Sequence, residues 1–116
     1  MDEKTSIAAL AALAQETRLR VFRLLVQAGS GGLVVGEIAA AVSAAPATLS
    51  FHLKALMQAG LIVAQSEGRF IRYSADYPQM TDLLRYLTDN CCGGLDCGVG
   101  VDACAPAGGD TFITGK

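Results

Sequence analysis

The chain has 116 residues, enough for one domain and too few for two. Hydrophobic residues make up 52% and charged residues 17%, which excludes a disordered chain, and the longest uncharged stretch, the 16 residues 38–53, falls short of the roughly 20 that a membrane-spanning helix needs. The net charge of −2 is unevenly spread: residues 1–74 carry seven basic groups against five acidic, and residues 75–116 carry two against six, so a body able to present a basic face is followed by an acidic end. Residues 7–14 are apolar and end in a cleavage-like Ala12-Leu13-Ala14, but Asp2 and Glu3 outnumber Lys4 where a secretory leader needs positive charge. The reading is a cytoplasmic protein with no membrane partner.

The first predicted helix covers 6–14 and is apolar almost all round, with Ile7, Leu10, Leu13 and five alanines. A helix without a polar face is buried or packed against another subunit. The second covers 17–28, with Arg20, Arg23 and Gln27 at helical spacing on its polar face and Leu19, Phe22, Leu25 and Val26 elsewhere; Gly29-Ser30-Gly31-Gly32 ends it. A short third helix over 35–42 turns Val35, Ile38 and Val42 inward. After Ser43-Ala44-Ala45, Pro46 suits the first position of a fourth helix over 46–59, which places Leu49, Leu53, Leu56 and Met57 inward before Gly60 stops it. Residues 61–66 and 70–74 are rich in strand formers and flank Glu67-Gly68-Arg69, a β-hairpin signal. A fifth helix over 78–90 carries Met80, Leu83, Leu84 and Leu87 on one stripe that Cys91 would continue, with Gly93-Gly94 as its terminator. The expected fold is mainly α with a β-hairpin wing, a winged helix-turn-helix. Residues 1–92 would form the DNA-binding and dimerisation domain and 93–116 a cysteine-containing, partly flexible tail.

Two short helices joined by a tight turn and followed by a hairpin suit major-groove recognition. With Leu49, Leu53 and Leu56 inward, the opposite face of the fourth helix carries Ala47, Thr48, Phe51, Lys54, Ala55 and Gln58. Ser50 and His52 lie on its flanks, placed for phosphates, and Arg69 and Arg72 on the hairpin are placed for backbone or minor groove. Arg18, Arg20 and Arg23 read as a solvated face rather than as DNA contacts.

The run Ser50-Phe51-His52-Leu53-Lys54-Ala55-Leu56, then Ala59-Gly60-Leu61-Ile62, resembles the signature of the ArsR family of metal- and metalloid-responsive repressors. Leu13-Ala14, Thr17-Arg18-Leu19-Arg20 and Leu24-Leu25 resemble that family's second helix, and Glu67-Gly68-Arg69 with Tyr73 its wing. The resemblance covers about residues 7–92. It implies operator DNA as partner, a homodimer built from the first and last helices, and phosphate contact at Ser50 and His52.

The four cysteines, Cys91, Cys92, Cys97 and Cys104, all fall near the C-terminal end, where a secreted disulfide framework would spread them. The Cys-x-Cys of many arsenic-responsive members is absent, because residues 33–38 contain no cysteine. The Asp and His pairs of zinc-type members are absent too, since His52 is the sole histidine. The segment 91–97 instead resembles the site of arsenite-responsive relatives with three thiolates at the end of the last helix. Soft thiolates suit trivalent arsenic or antimony, which takes three, whereas structural zinc wants four ligands. Neighbouring residues on a regular helix point about 100° apart, so a helix must end at the pair before both can grip one ion. Cys91, Cys92 and Cys97 are therefore the expected ligands, with Cys104 an additional candidate and As(III) or Sb(III) an inducer rather than a catalytic cofactor. The alternatives are a thiol-redox repressor pairing Cys91 or Cys92 with Cys97, and a thiol enzyme such as an arsenate reductase; against the enzyme stand the lack of a phosphate-type loop and of a base beside the cysteines.

Overall fold

The computed structural model describes residues 1–94. The tail beyond Gly94, with Cys97 and Cys104, lies outside the described residues. Five helices and three strands follow in the order α1 (Glu3–Leu13), α2 (Glu16–Ala28), β1 (Leu33–Val34), α3 (Val35–Val42), α4 (Pro46–Gln58), β2 (Ile62–Glu67), β3 (Phe70–Ala75) and α5 (Tyr77–Thr88), with a short 3₁₀ turn over Cys91–Gly94. This is the winged helix-turn-helix expected from the sequence, mainly helical with one small antiparallel sheet.

Helix α2 lies at the centre. Its Val21, Phe22 and Leu25 pack with Ile38 of α3, Leu49, Leu53 and Leu56 of α4, and Leu61, Ile62, Tyr73 and Ala75 at the base of the hairpin. Polar ends are closed locally. The Asp2 carboxylate accepts from the Thr5 amide at 2.8 Å and the Gln15 side chain from the Arg18 amide at 2.8 Å, starting α1 and α2 earlier than apolar spacing alone suggests. The Tyr77 hydroxyl, at the first residue of α5, donates to the Val26 carbonyl at 2.8 Å and so fastens α5 to the end of α2.

The sheet order is β1-β3-β2. Strands β2 and β3 pair from Ile62↔Ala75 to Glu67↔Phe70, leaving Gly68-Arg69 as a two-residue turn. Gly68 has φ +61°, which suits the first central position of a type II′ hairpin. Strand β1, with Leu33↔Tyr73 and Val34↔Arg72, is absent from the sequence reading, because two residues show no alternation to read. Where β1 meets β3, Gly32 has φ +69° and a Cβ there would run into the Tyr73 carbonyl, while a Cβ at the helical Gly36 meets nothing within 4 Å. Gly32→Ala should therefore cost about 2 kcal/mol or more, and Gly36→Ala should add about 0.5–1 kcal/mol; thermal melts of the two variants will move in opposite directions.

Two expectations need correction. Met57 is exposed rather than inward, because it lies 100° beyond Leu56 at the edge of the buried arc. On the α5 stripe Leu83 is buried, while Leu84 and Leu87 are exposed on the side that the sequence reading gives to a second subunit. Helix α5 also ends at Thr88, two residues before the expected Asn90 and well short of Gly93-Gly94: Asp89 turns extended at ψ 126° and Asn90 is left-handed at φ 57°. Cys91 therefore begins a separate turn and does not continue the stripe.

Candidate nucleic-acid interface

Helix α4 starts at Pro46 in its first turn, where the missing N–H costs nothing, and buries Leu49, Leu53 and Leu56. That fixes which side remains outside. Ala47, Thr48, Ser50, Phe51, Lys54 and Gln58 are all exposed, and Ala55 is half-buried. Phe51 is 67% exposed, a large apolar ring facing solvent on the side opposite the core. It packs edge-to-face with the His52 ring, with centroids 5.5 Å apart at 65°.

His52 departs from the expected surface flank. It is 8% exposed, and its Nδ1 lies 3.2 Å from Nη1 of Arg18 on α2. Guanidinium only donates, so Nδ1 accepts and the neutral ring carries its proton on Nε2. Burial, and after it the Arg18 charge, holds the imidazole below its ordinary pKa. Arg18 also donates from Nε to the Ala12 carbonyl at 2.7 Å, closing the end of α1. It is thus an interior link and not part of a solvated face. Arg20, by contrast, makes an exposed i,i+4 pair with Glu16 at 2.7 Å.

The hairpin arginines divide in the same way. Arg69, in the turn, is exposed. Arg72 is half-buried and engaged within the sheet: its Nε meets Glu67 Oε1 at 3.1 Å and its Nη1 donates to the Gly32 carbonyl at 3.3 Å. Its first role is to hold β1 and the wing together. The sequence reading missed Phe70 and Ile71, which are exposed and line a groove of about 300 Å³ with Val34, Val35, Gly36 and Arg69. Alternation in a strand marks two faces but does not show that both are open.

After α5, Cys91 is half-buried and Cys92 exposed, and their sulfurs are 3.6 Å apart. Cys92 is left-handed, with φ 57° and ψ 34°, which swings its side chain beside that of Cys91. Two thiolates bound at about 2.3 Å with a near-tetrahedral angle sit roughly 3.8 Å apart, so the pair has the spacing of two ligands on one ion. Among the described residues, no group of three or more Cys, His, Asp or Glu side chains is placed to hold a metal.

An outward-facing second helix of a helix-turn-helix, flanked by a hairpin, defines a DNA-binding protein of the winged helix-turn-helix class. Residues 13–64 match a helix-turn-helix domain family. The structure resembles an ArsR-like transcriptional regulator from Rhodococcus sp. RHA1, at 27% identity and TM-score 0.64 over 72% of this chain and 76% of that one. It also resembles the homodimeric winged helix-turn-helix domain of a possible ArsR-family regulator from Mycobacterium bovis, at 28% identity and TM-score 0.59 over 79% and 85%. A third neighbour, described as a possible transcriptional regulator for arsenical resistance, is 36% identical with TM-score 0.59 over 76% and 85%. No curated protein matches the sequence significantly. The chain belongs to the ArsR family of transcriptional regulators and is not an enzyme. No helix among the described residues is long and apolar enough to cross a membrane.

Proposed function

We propose that this chain is a homodimeric repressor, acting in the cytoplasm, that leaves its operator when trivalent arsenic or antimony binds the thiolates of Cys91, Cys92 and Cys97. The observation that carries the inducer is the 3.6 Å spacing of the Cys91 and Cys92 sulfurs on a turn separate from α5. The neighbour described for arsenical resistance supports the same reading. The dimer is supported by Ile7 and Leu10 on α1 and Leu84 and Leu87 on α5, all exposed apolar side chains on helices that pack together, and by the homodimeric neighbour. Operator contact is assigned to Ala47, Thr48, Ser50, Phe51 and Lys54 of α4, to the exposed edge of His52, and to Arg69.

The test is fluorescence anisotropy of labelled operator DNA with the full chain, titrated with arsenite, antimonite, zinc and cadmium. Release by arsenite or antimonite at lower concentration than by zinc or cadmium is expected; release by zinc alone would overturn the three-thiolate inducer. A parallel peroxide titration tests the thiol-redox alternative, in which arsenite would do nothing.

Within this reading Lys54 and Phe51 have different roles. Lys54→Ala should weaken binding to all sequences alike and lower the salt slope by about one, the signature of a lost phosphate contact. Phe51→Ala should leave the salt slope alone and relax preference at one or two base pairs, because an apolar ring reads a thymine methyl rather than charge. Binding curves on operator and mutated operators over a range of salt will separate the two.

A further inference from the structure

We infer that Arg18 is a positioning residue for DNA binding, acting by fixing His52 as the Nε2–H tautomer and so aiming a neutral donor at an operator phosphate. The inference rests on the DNA-binding role given to α4 above. Arg18 is anchored at both ends: Nε donates to Ala12 O at 2.7 Å, and Nη1 faces His52 Nδ1 at 3.2 Å. A guanidinium cannot accept, so the proton of the neutral ring must sit on Nε2.

The other edge of the ring completes the argument. Among the described residues, no buried side-chain nitrogen or oxygen lacks a hydrogen-bond partner. Among the described residues none supplies an acceptor to Nε2, so that N–H is not fully enclosed although the ring as a whole is buried. Its neighbours on the outer side of α4, Ser50 and Phe51, are exposed. A polar N–H left at the rim of a recognition helix, with its direction fixed from behind, suits a phosphate oxygen. The tautomer matters because the opposite one would turn a lone pair toward the phosphate.

His52 is the chain's only histidine, so its imidazole can be observed without assignment. In a long-range ¹H–¹⁵N spectrum of the full chain at pH 7.5, Nε2 should appear protonated and Nδ1 bare. Arg18→Ala should give a mixture of tautomers. A wild-type Nδ1–H tautomer would overturn the assignment.

The functional arm compares operator affinities. Arg18→Ala and His52→Ala should each cost about tenfold, and the double variant about tenfold again in total rather than a hundredfold, because both break one contact. Losses that multiply would make Arg18 independent of His52 and overturn its role.

His52→Gln guards against a general loss of folding. Its amide N–H₂ donates whatever lies behind it, so adding Arg18→Ala to His52→Gln should cost less than about threefold. A full tenfold loss there would mean that Arg18 acts only by closing α1. A wild type that binds no DNA would overturn the underlying reading; a wild type that binds no better than Arg18→Ala would overturn only the role of Arg18.

Discussion

Cys91→Ser, Cys92→Ser and Cys97→Ser are each expected to bind operator about as well as the parent chain and to stay bound when arsenite is added. The first half follows from placement. The described members of the set, Cys91 and Cys92, sit beyond Thr88 and outside the buried core, so a serine there leaves the packing that fixes α4 in place. The second half follows from valence. Trivalent arsenic needs three sulfurs, and serine, whose hydroxyl stays protonated, supplies a poor fourth-choice ligand in place of a thiolate. A coupling of about 1–3 kcal/mol is typical between two linked sites and corresponds to a 5–150-fold weakening of DNA binding. Each serine variant should erase that factor, while Cys104→Ser keeps it. Anisotropy with and without arsenite measures both halves. A normal response from Cys97→Ser with none from Cys104→Ser would exchange the third ligand.

Leu53→Ala should lower the stability of the domain by about 2–5 kcal/mol, out of the 5–15 kcal/mol expected for a domain of this kind. Leu53 is 1% exposed and fully enclosed with Leu25, Leu49 and Leu56, so truncation leaves a cavity between α2 and α4 that neighbours on two stiff helices cannot fill. Phe51→Ala, two residues earlier on the solvent side, should change stability by no more than about 0.5 kcal/mol. Chemical denaturation of the two variants measures this contrast, and similar losses from both would mean that the inward and outward faces of α4 are misassigned.

The architecture was legible wherever one physical signal governed a whole element. Leucines at spacings of three and four put the buried arc of α4 on Leu49, Leu53 and Leu56, and Pro46 marked its start. Strand formers on either side of Gly68 marked the wing. The parts that were not legible depend on contacts between distant positions or on single backbone torsions. His52 sits at the edge of the inward arc, and its burial is decided by an arginine 34 residues away that has its own tie to α1. Arg72 is held by a carbonyl 40 residues earlier, across a strand too short to anticipate. Two adjacent glycines are the usual stop signal and suggest that α5 continues to about Asn90, but the chain leaves the helix at Asp89 and Asn90. The need for the helix to end before the cysteines followed from the geometry of adjacent residues, but the place where it ends did not. Cys97 and Cys104, half of the cysteine set, lie outside the described residues.

The bond from the Tyr77 hydroxyl to the Val26 carbonyl makes α5 a lever with its fulcrum at the first residue. The helix has 12 residues and is about 18 Å long, so a tilt of 10° about Tyr77 moves the Thr88 end by about 3 Å while hardly stirring α2. Leu84 and Leu87 ride on the outer half of that arm and the cysteine turn lies just past its tip. A displacement of the tip is therefore largest across the outward surface of Leu84 and Leu87, while buried Leu83, nearer the fulcrum, moves about half as far as Thr88.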